Sequence, residues 1–152
     1  MTQRARILVV DDDLPIRDMM KLILRSAGYE VQSATNGEEA LASMDGFRPD
    51  AVVLDWRMPV MSGQEFLEEY RRRGGERPVV VVTADHPAAV APARPDGCIR
   101  KPFRPEELLA SVEAVLRSDR PQNMMQLADI VESELMGTQY RGGLRLEYKP
   151  RY

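Results

Sequence analysis

The chain has 152 residues, 43% hydrophobic and 30% charged, a length and balance suited to one globular domain with appendages and unlike that of a disordered chain. Its net charge of −3 argues against nonspecific nucleic-acid binding. The longest apolar runs, such as Ile7 to Val10 and Val79 to Val82, fall far short of the roughly 20 residues a membrane helix needs, and Cys98 as the single cysteine excludes an internal disulfide and any multi-cysteine metal site.

In chain order, Arg4 and Arg6 lead only into a short apolar run closed by three aspartates, which lacks the apolar core of a secretory signal, so a cytoplasmic location is expected. That run, Arg6 to Val10, reads as a first strand. Asp13 as N-cap and Pro15 in the first turn open a helix whose apolar residues Ile16, Met19, Met20, Ile23 and Ala27 recur at helical spacing before Gly28 ends it. A second strand follows at Glu30 to Ala34. Asn36 then caps a helix carrying Ala40, Leu41 and Met44. The third strand is expected at Asp50 to Leu54, followed by a capping box of Ser62 with Glu65 ahead of Phe66, Leu67 and Tyr70. Val79 to Thr83 and Gly97 to Arg100 read as the fourth and fifth strands. Between them HPAAVAPARPDG holds too many prolines for a full helix, so one or two turns or a loop are expected. Pro105, Glu106 and Glu107 open a further helix with the stripe Leu108, Val112, Val115 and Leu116. Strands alternating with helices indicate an α/β fold with a doubly wound, five-stranded parallel sheet.

Asp11, Asp12 and Asp13 directly follow the first strand, Asp55 the third, Thr83 closes the fourth and Lys101 follows the fifth. In a doubly wound sheet such strand ends open onto one crevice at the topological switch point. Clustered carboxylates there repel one another and lose hydration, which calls for a cation, and oxygen ligands suit Mg²⁺ or Mn²⁺. A carboxylate can act as nucleophile toward phosphorus, with a metal, an ammonium and a hydroxyl neutralising the charge on the transferred oxygens. Alone, the three aspartates would read as a helix cap in a solvated loop, and Lys101 as a surface lysine. Their joint placement makes the site.

ILVVDDD, VVLDWRMP, VVTA and RKPF, in this order on these strand ends, resemble the motifs of response-regulator receiver domains of two-component signalling, over roughly residues 5 to 117. The resemblance implies a flavodoxin-like sheet of order 2-1-3-4-5 and makes Asp55 the phosphoacceptor. It makes Asp12 a direct metal ligand, has Asp11 act through water, and adds the Arg57 backbone carbonyl to the metal set. Thr83 would bond a phosphoryl oxygen, Lys101 would pair with phosphate or carboxylate, Ala84 would leave room for the phosphoryl group, and the Lys101-Pro102 peptide would be cis. Asp13 remains a cap. The donor would be a histidine kinase or histidine phosphotransfer protein, so His86 is expected to be an exposed loop residue. A phosphatase of the haloacid-dehalogenase type also uses an aspartate nucleophile, but wants it in a DxD after the first strand, which suits neither Asp55 nor KPF.

The segment from Thr83 to Lys101 is shorter than the family implies, giving a shortened fourth helix, and Cys98 stands where the family has an aromatic switch residue three before the lysine. The family's relay draws in the threonine and turns that aromatic. A cysteine cannot do the same. Arg57 and Asp85, each two positions after a site residue, are expected to form an ion pair across the crevice mouth that limits water access. Trp56, next to Asp55, is expected on the rim, and Met19, Met20 and Met44 in the core.

The boundaries expected are 1–118 for the receiver domain and 119–152 for a C-terminal extension. In that extension Met124, Leu127, Ala128, Val131 and Leu135 define a helix over about 122–136, ended by Gly137, before a hairpin or tail around Gly142 and Gly143. Five cationic residues, Arg120, Arg141, Arg145, Lys149 and Arg151, face five acidic ones, Asp119, Asp129, Glu132, Glu134 and Glu147, so no DNA-binding arm is expected. The helix would dock on the parent domain, form a homodimer, or capture a partner. The expected function is a phosphorylation-activated regulator that signals through contact with a downstream protein target and is not a turnover enzyme. The alternative is an interaction module that uses its C-terminal helix independently of phosphorylation.

Overall fold

The computed structural model describes residues 4–118; the expectations for 119–152 lie outside the described residues. Five parallel strands, β1 (Arg6–Val10), β2 (Glu30–Ala34), β3 (Ala51–Asp55), β4 (Val79–Thr83) and β5 (Gly97–Arg100), form one sheet in the order β2-β1-β3-β4-β5. The register pairs Val10 of β1 with both Ala34 and Leu54, and Thr83 of β4 with Arg100. The three central strands are nearly continuous apolar runs because both faces of the sheet are covered. Leu8, Val10, Val52, Leu54, Val79 and Val81 point to one side, and Ile7, Val9, Val53, Val80 and Val82 to the other, all fully buried.

The first side is covered by α2 (Gly37–Phe47) and α3 (Gly63–Arg72), which contribute Ala40, Phe47, Phe66, Leu67 and Tyr70. The second is covered by α1 (Leu14–Ser26) and by α4, helical from residue 105 to 118. The caps form as the residue types require. Asp13 accepts from the Ile16 amide, Asn36 from Glu39, and Ser62 and Glu65 make a reciprocal capping box. Gly28, with φ +98°, takes the left-handed position just beyond α1. The proline-rich connection between β4 and β5 becomes two 3₁₀ turns, Pro87–Ala89 and Ala91–Ala93, neither of which buries a residue of its own, while Val90 between them is buried.

Three local expectations are corrected. β3 runs one residue later than Asp50 to Leu54, because the Asp50 carboxylate accepts the Arg6 amide at 2.7 Å and Asp50 serves as a brace ahead of the strand. On α1 the fully buried residues are Met20 and Leu24, whereas Met19 is 41% exposed and Ala27 is exposed. A helix lying on a sheet buries a stripe narrower than its whole apolar arc. Trp56 leaves the rim and is 7% exposed, packed in the core under α2 and α3. In an extended chain successive side chains alternate faces, so the residue after one that faces the crevice turns inward.

Candidate functional site at the carboxyl edge of the sheet

β1, β3, β4 and β5 deliver their last or next residue to one crevice. Asp11, Asp12 and Asp13 line it from β1, Asp55 and Arg57 from β3, Thr83 and Ala84 from β4, and Lys101 from β5. Asp11 is fully buried, Asp55 is 5% exposed and Thr83 1%. Asp12 is the exposed member of the set. One carboxylate oxygen from each of Asp11, Asp12 and Asp55 lies within 4.8 Å of the others. Lys101 Nζ reaches Asp55 Oδ1 at 3.2 Å and Asp11 Oδ2 at 3.5 Å. The Lys101-Pro102 peptide is cis.

The electrostatics follow from two buried carboxylates sharing one ammonium. Burial pushes Asp55 up to about 6, the charges of Asp11 and Asp12 add to the effect, and Lys101 opposes it. Burial likewise raises Asp11, against the Asp13 amide and Lys101. Burial works against the Lys101 ammonium, yet the carboxylates of Asp55 and Asp11 outweigh it and hold its pKa above the usual lysine range. The crevice thus keeps an excess of negative charge after its own cation is counted. Grouped carboxylate oxygens with such an excess fit a hard divalent cation.

The surrounding contacts hold these groups in place. The Asp11 Oδ1 atom accepts the Asp13 amide at 2.8 Å, and the Asp11 carbonyl accepts Arg17 Nη1 at 2.8 Å. The Thr83 hydroxyl oxygen accepts the Asp85 amide at 2.9 Å. Arg57 Nε meets Asp85 Oδ2 at 2.7 Å, so the expected ion pair is formed. The Gly63 amide donates to the Trp56 carbonyl at 2.9 Å, tying the start of α3 to the end of β3. Sequence reasoning missed Arg17. Its signal was a long donor four residues into a helix that follows an acidic strand end. Ala84 is exposed at the crevice, Cys98 is exposed on β5 outside its lining, and His86 is exposed, with Nδ1 accepting the Ala88 amide.

A flavodoxin-like sheet whose carboxyl edge gathers three aspartates, a threonine and a bridging lysine defines the class: an α/β module with an acidic, lysine-braced crevice. The chain belongs to the response regulator receiver domain family, whose model matches residues 7–113. Response regulator MprA of Mycobacterium avium is 39% identical over 134 residues, covering 86% of this chain and 59% of the relative. The DNA-binding response regulator MtrA of Mycobacterium tuberculosis is 37% identical over 135 residues, 85% of this chain and 59% of that protein. The chain therefore spans about 59% of the length of these relatives. The expectation of no DNA contact finds no support in a relative so named. Response regulator protein TrrA of Thermotoga maritima in complex with Mg(2+)-BeF is 35% identical, with a TM-score of 0.67 over 73% of this chain and 98% of that one. Among the described residues no helix is long and apolar enough to cross a membrane.

Proposed function

We propose that Asp55 accepts a phosphoryl group from a histidine kinase or histidine phosphotransfer protein, and that the phosphorylated chain signals through protein-protein contacts. The observation that carries this reading is the meeting of Asp11, Asp12 and Asp55 oxygens within 4.8 Å beside the Lys101 ammonium. An Asp55 carboxylate oxygen attacks phosphorus as the bond to the donor nitrogen breaks, and the electron pair leaves with that nitrogen. Mg²⁺ or Mn²⁺, held by Asp12, Asp55 and the Arg57 main-chain carbonyl with Asp11 supporting through water, would supply neutralisation of the phosphoryl charge. Lys101, already 3.2 Å from Asp55 Oδ1, pairs with the incoming oxygens. Because the Thr83 oxygen accepts the Asp85 amide, the hydroxyl proton remains free to be donated to a phosphoryl oxygen. Ala84 leaves room for the group, and the Arg57–Asp85 pair restricts the water that later hydrolyses it. The chemistry proposed is uptake and loss of the chain's own phosphoryl group, without turnover of an external substrate.

A labelled small phosphodonor tests the assignment. The label is expected to enter one site per chain, to require a divalent cation and to be absent from Asp55→Asn. Equal labelling of that variant overturns it.

The exposed Cys98 and the two 3₁₀ turns favour a second reading for output, a contact surface insensitive to phosphorylation. Amide hydrogen exchange over residues 84–100 separates the two. Altered protection with beryllofluoride supports the switch; unchanged protection in protein that binds beryllofluoride supports the second reading.

A further inference from the structure

Asp11 is fully buried, and each of its polar atoms has a partner. Its amide donates to the Ala34 carbonyl at 3.2 Å, its Oδ1 accepts the Asp13 amide, and its Oδ2 faces Lys101 Nζ. The fourth contact comes from outside the crevice, where Arg17 Nη1 donates to the Asp11 carbonyl at 2.8 Å. Arg17 is the fourth residue of α1. Long helical side chains lean back toward the helix N-terminus, which carries this guanidinium over the β1–α1 turn.

The carbonyl that Arg17 holds belongs to the peptide joining Asp11 to Asp12. A peptide unit is planar, so fixing its oxygen fixes the direction from which the Asp12 Cα departs. Arg17 meets Asp11 at its main-chain carbonyl, while the two carboxylate oxygens are taken by the Asp13 amide and by Lys101, so the guanidinium holds the main chain. Asp11 needs no such help to stay put, being buried and bonded at both carboxylate oxygens. Asp12, the exposed ligand candidate, does.

We infer that Arg17 is a positioning residue for the cation site: by clamping the Asp11–Asp12 peptide it aims the Asp12 carboxylate at the Asp11 and Asp55 oxygens, so that the cation meets a preformed set. This rests on the reading that the crevice holds a divalent cation. The sign of the effect separates positioning from charge. Removing a positive side chain beside a cation site should strengthen cation binding if Arg17 acts only through its charge. Loss of the clamp should weaken it, because groups that orient metal ligands typically contribute about tenfold or more in affinity.

The experiment is Mg²⁺ titration by calorimetry of the full chain, with the melting temperature in chelator measured alongside. Arg17→Met is expected to bind Mg²⁺ about tenfold more weakly with its metal-free melting temperature little changed, and Arg17→Gln to shift in the same direction. Either folded variant binding Mg²⁺ as tightly as the unsubstituted protein, or more tightly, overturns the inference. A fall in melting temperature with unchanged affinity also overturns it, since that is what a merely structural contact gives. Should the unsubstituted protein itself bind no Mg²⁺, the cation reading fails and this inference with it.

Discussion

Lys101 Nζ lies 3.2 Å from Asp55 Oδ1 although 46 positions separate the two residues in the chain. The same ammonium also serves Asp11 at 3.5 Å, so one positive charge stands against two buried negative ones. Truncating it leaves both carboxylates without a cation. Lys101→Met is expected to destabilise the metal-free protein by about 3 kcal/mol at neutral pH, the lower end for breaking a buried ion pair. Urea unfolding in chelator measures this, and an unchanged midpoint would show that the crevice is hydrated well enough not to need the lysine.

Asp55 carries a pH dependence of definite sign. Its folded pKa of about 6 lies above the ordinary 3.8, so between these values the native state binds more protons than the unfolded state, and the contribution of this group to stability falls as pH rises. The rise from 3.8 to about 6 corresponds to about 3 kcal/mol. Asp55→Asn should therefore match the unsubstituted protein near pH 4 and exceed it in stability above pH 6, in chelator. Parallel unfolding curves at the two pH values check it; a constant difference between the proteins would contradict the burial argument.

Divalent cation should reverse that penalty. A ligand that binds only the native crevice stabilises by about 2.7 kcal/mol at one hundred times its dissociation constant. The melting temperature is expected to rise with Mg²⁺ and the rise to vanish in Asp12→Asn. Because Asp12 is exposed, that substitution should leave the metal-free melting temperature nearly where it was.

Arg57 and Asp85 form an exposed pair at the mouth, the arginine side chain 77% accessible. Such pairs add little stability, so their effect should lie in water access. Arg57→Ala is expected to speed loss of the phosphoryl group a few-fold with no measurable change in unfolding, read from the decay of labelled protein. An unaltered decay rate removes the pair from the mechanism.

Gly63 is where α3 meets the end of β3. A Cβ there would collide with the Asp55 carbonyl and approach the Trp56 Cα to 2.9 Å. Backbone cannot give way as a side chain can, and forcing an extra carbon into a filled space costs about 1 to 3 kcal/mol. Gly63→Ala should fall at the upper end of that range and weaken phosphoryl uptake, since Asp55 must move; unfolding and labelling on the same preparation test both.

Much of the fold was readable in one dimension. Val79 to Thr83 is an apolar run bounded by a proline and a polar turn, the Ser62–Glu65 box announces α3, and the prolines after His86 forbid a long helix. Each of these is a local property of backbone freedom, capping chemistry or side-chain period. The identities of the crevice residues were readable for the same reason, because Asp11, Asp12, Asp55, Thr83 and Lys101 sit at or just beyond strand ends, and strand ends are local features.

Distances and inward or outward choices belong to the assembled sheet. Met19 and Leu24 are equally apolar on paper, and only the way α1 lies on the sheet puts Leu24 inside and leaves Met19 41% exposed. Trp56 turned from rim to core once β3 ran through Asp55. Arg17 reaches the Asp11 carbonyl, and Arg57 reaches Asp85, through the relative placement of neighbouring elements. Amino-acid order specifies torsional preferences and the apolar period of each segment. Separations between side chains distant along the chain arise from strand register, sheet twist and packing, in which every segment constrains the others at once.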